Sequence, residues 1–184
     1  FVCQAQKTGN IVEIFGKEKV ESTKEGQILH TFRHGLVLRN GIQPGLINGA
    51  NDIVVWQLAN GSFRTPVDGS SVGAFFLGEG QENDLIWEST AADSNAVFSD
   101  KLTKSVLYTA YNAARSEIVL LEATGHTRVF INGLPHEGDH YDYGYTLIPF
   151  KLKKGQNEFL YSYGRFSRYS SRLVVPSKPV FFTH

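Results

Sequence analysis

Four Asn-Gly pairs punctuate this chain, at Asn40-Gly41, Asn48-Gly49, Asn60-Gly61 and Asn132-Gly133. Both residues of that dipeptide tolerate positive φ, which a two-residue hairpin of the correct twist demands. The flanking runs are short, apolar and β-branched: residues 28–38, 53–58 and 129–131. Similar runs predict further strands over 73–77, 84–88, 105–111, 117–123, 145–152, 157–163 and 171–175. Only residues 93–102 suit a short helix or turn, and nothing longer carries a 3.6-residue period. Many short strands separated by turn signals specify an all-β fold with little helix, an antiparallel β-sandwich or barrel. The helix–strand alternation that a parallel sheet requires is missing.

Charge and composition narrow the function classes. Lys+Arg 18 balances Asp+Glu 18, so no basic field points to nucleic acid. One cysteine in 184 residues excludes an internal disulfide framework and any multi-cysteine metal centre. No apolar run approaches the roughly 18 residues of a membrane-spanning helix. The start, Phe1-Val2-Cys3-Gln4-Ala5-Gln6, places small residues at Cys3 and Ala5 as at the end of a signal peptide; residues 1–6 read as its remnant or as an unstructured terminus. Residues 7–175 read as one domain. Pro176 and Pro179 then bracket a stiff spacer before Val180-Phe181-Phe182, so 176–184 reads as a linker or the start of a further domain.

Several constellations could carry chemistry, each beside a simpler structural use. Gly69-Ser70-Ser71-Val72-Gly73 matches the G-x-S-x-G pattern of a nucleophilic serine. Pro66 interrupts what precedes it and residues 74–80 read as strand and turn, so a surface loop is expected; Asp93 or Asp100 and His126 would have to complete a triad. His136-Glu137-Gly138-Asp139-His140-Tyr141-Asp142 is rich in metal-ligand types, but its spacing matches no closed motif. An exposed polar loop is the simpler reading there. No cofactor is called for, and no motif supports a structural calcium. His30 and His34 are four apart without the glutamate of a zinc helix, and on one strand they would share a face.

Two surfaces remain as binding candidates. Tyr141, Tyr143 and Tyr145 alternate beside Asp139 and Asp142, a pattern in which rings stack on sugars and carboxylates accept sugar hydroxyls; alternating tyrosines also cover sheet edges. Arg165, Arg168 and Arg172 lie among Tyr163, Phe166 and Tyr169. Arginine interleaved with aromatics suits a protein-facing contact better than single-stranded nucleic acid in a chain of zero net charge.

Residues 105–160 carry a family pattern: Val129-Phe130-Ile131-Asn132-Gly133, a Gly/Tyr-rich loop, then Leu152-Lys153-Lys154-Gly155-Gln156-Asn157. This resembles the galactose-binding-like jelly-roll domains attached to bacterial glycosidases and peptidases. With Gly164-Arg165 and the two-proline exit, it resembles the β domain preceding a prolyl-oligopeptidase-like α/β-hydrolase in secreted bacterial proteins. The resemblance implies a jelly-roll fold, a secreted or periplasmic location, and a catalytic domain downstream in the same polypeptide as the partner. It transfers no catalytic residue onto this chain. The alternative it leaves open is a carbohydrate-binding module contacting glycan through the Tyr141–Tyr145 rim.

Overall fold

The computed structural model describes residues 27–42, 52–74, 84–99, 102–139, 141, 144, 146–162 and 168–178. Cys3 and Ala5, Asn48-Gly49, His140, Asp142, Tyr143, Tyr145, Arg165 and the Val180-Phe181-Phe182 run lie outside them. Eleven strands occur among the described residues: β1 (Gln27–Thr31), β2 (His34–Leu38), β3 (Ser71–Ala74), β4 (Asp84–Ala91), β5 (Val106–Ala113), β6 (Glu117–Thr124), β7 (Arg128–Ile131), β8 (Leu134–Glu137), β9 (Leu147–Leu152), β10 (Gly155–Ser162) and β11 (Ser170–Val175). They form a four-stranded sheet, β1-β11-β6-β9, and a seven-stranded sheet, β3-β4-β2-β5-β10-β7-β8. Every pairing is antiparallel. The chain is therefore an all-β sandwich.

Strand alternation builds the core. Val119, Leu121, Ala123, Ile148, Phe150 and Leu173 face inward from the small sheet. Val37, Leu107, Val129, Phe159 and Tyr161 meet them from the large one. Burying each Val, Leu, Ile or Phe among them stabilises the fold by about 1.5–3 kcal/mol relative to exposure. The opposite face of the large sheet is also apolar: Leu38, Trp87, Val106, Phe130 and Leu160 lie under one helix, α1 (Ile53–Ala59), through Ile53 and Val54.

That helix corrects the strand expected over 53–58. Asp52 caps it, its Oδ1 accepting from the amides of Val54 at 3.0 Å and Val55 at 3.1 Å. Asn60-Gly61 ends it instead of closing a hairpin: Gly61 takes φ +72° and Ser62 donates to the Gln57 carbonyl. Asn132-Gly133 does close a hairpin, with φ of 52° and 83° and Ile131 opposite Leu134. The segment 93–98 is a turn, in which the Asp93 carboxylate accepts from the amides of Asn95 and Val97.

The run 28–38 is two strands in two sheets, crossing at Phe32-Arg33. His30 and His34 consequently share no face. A register shift between Ile28 and His30 turns His30 inward, against Phe32 and Tyr111 at 4.8 Å each. His34 is exposed.

Candidate functional site

The residues singled out in the sequence divide sharply by position. Asp139 does not stand at a rim: it is 5% exposed. Its Oδ2 accepts from the amides of Gly125 at 3.3 Å and Gly144 at 3.1 Å. It anchors the Tyr141 loop rather than offering a free carboxylate, while Tyr141 itself is exposed. His136 and Glu137 belong to strand β8 instead of a loop. Burial lowers the pKa of His136. Arg168 is exposed. Arg172 is held by a two-pronged ion pair, donating to Glu122 at 2.8 and 3.0 Å.

This pair lies in a cavity of about 310 Å³ on the outer face of the small sheet. Cross-strand register builds its floor: Thr31 opposes Arg172, Arg172 opposes Glu122, and Ser170 opposes Thr124. The Thr124 and Ser170 hydroxyls are 3.1 Å apart. One wall is the 93–98 turn, through Asn95 and Ala96. Arg33 braces that wall by donating Nη1 to the carbonyls of Asp93 and Ser94, both at 3.2 Å. Gly144 sits against the Thr124 methyl, beside this cavity. Arg172 alone signalled this site in the sequence; Glu122 and the hydroxyls converge only through strand register. A second hollow, about 540 Å³, is lined by Thr127, Arg128, Pro135, His136 and Glu137.

Other buried polar groups knit elements together. Asp52, 4% exposed, accepts from Arg128 Nη2 at 3.0 Å besides capping α1. Burial raises its pKa above the usual carboxylate value, against the opposing pull of the two amides and Arg128. Glu158 accepts from Thr65 at 2.7 Å and Tyr108 at 2.9 Å. Burial, and then Glu158, push the Tyr108 hydroxyl pKa up. Asn157, fully buried, accepts from Asn132 Nδ2 at 3.0 Å and from the Lys153 amide, and donates to the Lys153 and Gly155 carbonyls. Asn132 Oδ1 in turn accepts from the Glu158 amide. The β7–β8 hairpin and the β9–β10 turn are thereby locked to each other. Inside the core, burial pushes the Tyr161 hydroxyl up to about 12, with Ser171, Tyr169 and Thr109 pulling the other way.

The serine triad fails on geometry. Ser71 is exposed on β3, the first strand in the order of the seven-stranded sheet among the described residues. His126 precedes β7, five strand spacings away in the same sheet, roughly 24 Å at about 4.8 Å per spacing. Its ring is wholly buried, edge-on to Tyr161 and Tyr169. Among the described residues, no three His, Cys, Asp or Glu side chains gather as a metal set, and no helix is long and apolar enough to cross a membrane. No protein-family model matches the chain, and no curated protein matches it.

Proposed function

We propose that this chain is a non-catalytic accessory domain of a larger secreted hydrolase, a galactose-binding-like β-sandwich that packs on the catalytic domain and restricts access to it. One observation carries the reading: four side chains suited to acid–base work, Asp52, Asp139, Glu122 and His126, are engaged in architecture or sealed in the core. Asp52 caps α1 and binds Arg128, Asp139 holds two loop amides, and Glu122 is clamped by Arg172. His126 is sealed in the core. The interlocked Asn132 and Asn157 are the very residues that carry the family resemblance, which supports reading those motifs as fold determinants. Trp56 on α1, 53% exposed, and the exposed Arg168 are residue types favoured in protein contacts.

The test uses the parent polypeptide. Trp56→Ala and Arg168→Ala should relax its discrimination between long and short peptides while leaving hydrolysis of a small chromogenic ester unchanged. A parent without a hydrolase domain overturns the reading. So does ester hydrolysis by the 184-residue chain that disappears in Ser71→Ala.

A further inference from the structure

An Asn-Gly pair is chemically reactive as well as conformationally useful. The glycine amide nitrogen can attack the asparagine carboxamide carbon, because no Cβ obstructs the approach. This chemistry is independent of the accessory reading. Asn48-Gly49 lies outside the described residues, and the fold holds the other three pairs very differently. The Asn132 carboxamide is clamped at both ends: Nδ2 donates to Asn157 Oδ1 at 3.0 Å, and Oδ1 accepts from the Glu158 amide at 3.1 Å. Turning its carbon toward Gly133 breaks both bonds. At Asn40 the side chain is exposed, but Gly41 is buried, with Leu38 3.0 Å from where a Cβ would stand. The next amide, Ile42, is tied to the Lys104 carbonyl at 3.1 Å.

Asn60, the residue that ends α1, differs on each count. It is exposed, as is Gly61, and nothing lies within 4 Å of where a Gly61 Cβ would stand. The Gly61 amide, the attacking group, donates only to the Leu58 carbonyl at 3.3 Å, beyond the usual range of about 2.7–3.2 Å. Asn60 Oδ1 accepts from the Ser62 amide at 2.9 Å. That donor polarises the carbonyl under attack and stands where negative charge develops in the tetrahedral intermediate. Nδ2, the leaving group, has no partner among the described residues.

We propose that Asn60 is a site of spontaneous deamidation in the folded protein, selected over Asn40 and Asn132 by its place at the helix end. The Gly61 nitrogen bonds to Asn60 Cγ and gives up its proton. The Cγ–Nδ2 bond breaks, and Nδ2 leaves with that proton's equivalent as ammonia. Water then opens the cyclic imide. Breaking the new N–Cγ bond gives aspartate at position 60. Breaking the bond from the Gly61 nitrogen to the Asn60 main-chain carbonyl carbon gives an isoaspartyl link instead. Water is the one co-reactant, and no atom is oxidised or reduced. Either product loosens α1. Aspartate sets a negative charge at the C-terminal end of the helix dipole. Isoaspartate lengthens the main chain inside the closure that the Ser62 and Phe63 amides make on the Gln57 carbonyl.

The test is peptide mapping by mass spectrometry of the 184-residue chain aged in mildly alkaline buffer, once folded and once in urea, with isoaspartate distinguished from aspartate by fragmentation. In the folded chain Asn60 should convert to both products ahead of Asn40. Asn132 should be on the order of thirtyfold slower than Asn60, the effect of first breaking its two side-chain hydrogen bonds. In urea the three should convert at similar rates. Asn60→Asp, which reproduces one product, should lower the Tm by about 1–4 °C. Four results overturn the inference: Asn60 intact in the folded chain, Asn40 or Asn132 converting as fast as Asn60 there, the same ranking in urea, which would assign the selection to local sequence, or a Tm unchanged by Asn60→Asp.

Discussion

Asp52 offers the sharpest dissection of how the helix is fastened to the sandwich. Its carboxylate does two separable things: Oδ1 caps α1 and Oδ2 takes the Arg128 guanidinium. Asp52→Ala removes both. Loss of an N-cap costs about 1 kcal/mol. The Arg128 side chain is 38% exposed, so its pairing is discounted to about 1 kcal/mol or less. The sum, about 2 kcal/mol, lowers the Tm of a domain this size by about 4–8 °C. Asp52→Asn keeps an equally good cap and removes the buried charge whose desolvation raises the pKa, so it should cost less than about 1 kcal/mol. Urea unfolding followed by fluorescence of Trp87, buried beside Tyr108, reads both. Acid adds a second reading. A carboxyl with a raised folded pKa binds its proton more readily in the native state, so the penalty for ionising it is fully present above that pKa. The penalty is relieved as pH falls from there toward the ordinary value of 3.8. Wild type should therefore gain on Asp52→Asn over that window. Equal losses in Asp52→Ala and Asp52→Asn would refute the capping argument. An Arg128→Ala cost unchanged by Asp52→Asn would refute the pairing.

Three further outcomes follow from the same contacts. Asn157→Ala should cost about 2–4 kcal/mol in urea unfolding, because it strands buried partners in both the hairpin and the turn; a loss under about 1 kcal/mol would show the lock to be redundant. Gly125→Ala should prevent folding at ordinary temperature, since Gly125 holds φ +76° and a Cβ would strike the Arg168 carbonyl, whereas Gly133→Ala, at φ +83° in open space, should cost only about 1–2 kcal/mol by circular dichroism melting. Burial lowers the pKa of His30 and His136, so the unfolded chain takes up protons first and stability should decline as pH falls from about 6.5 toward their lowered native values; His30→Gln with His136→Gln should flatten that slope in pH-dependent melting.

Where the sequence is legible and where it misleads has a physical explanation. Strands over 117–123, 129–131 and 171–175 declare themselves because each supplies the apolar layer between the two sheets. The run 53–58 contains the same residue types, yet a helix of seven residues, Ile53–Ala59, is too short for periodicity to separate it from a strand. Its fate is set by what surrounds it. Asp52 supplies a cap, Gly61 a left-handed exit, and the outer face of the large sheet an apolar bed that an eighth strand could not cover. Asn-Gly thus marks a place where positive φ is affordable, and the neighbours decide whether it closes a hairpin, as at 132, or terminates a helix, as at 60. The break inside 28–38 is hidden for a similar reason: one extended run serves both sheets, and only the pairing of β1 with β11 and β2 with β4 reveals the crossing.

The site obeys a harder rule. Chemistry that lies within one segment can be noticed in a sequence, and so the tyrosine loop and the arginine strip draw the eye. Glu122 and Arg172 are 50 residues apart, and Arg33 is 61 residues from Ser94. What brings them to one cavity is the register of β11 between β1 and β6, fixed by which residues of those strands are buried. A slip of one residue would turn Arg172 into the core and Leu173 out of it, a change that burial alone forbids. The polar cavity is therefore specified by the apolar residues that alternate with it: Leu121, Ala123 and Leu173 on the inner face determine that Glu122, Thr124 and Arg172 meet on the outer one.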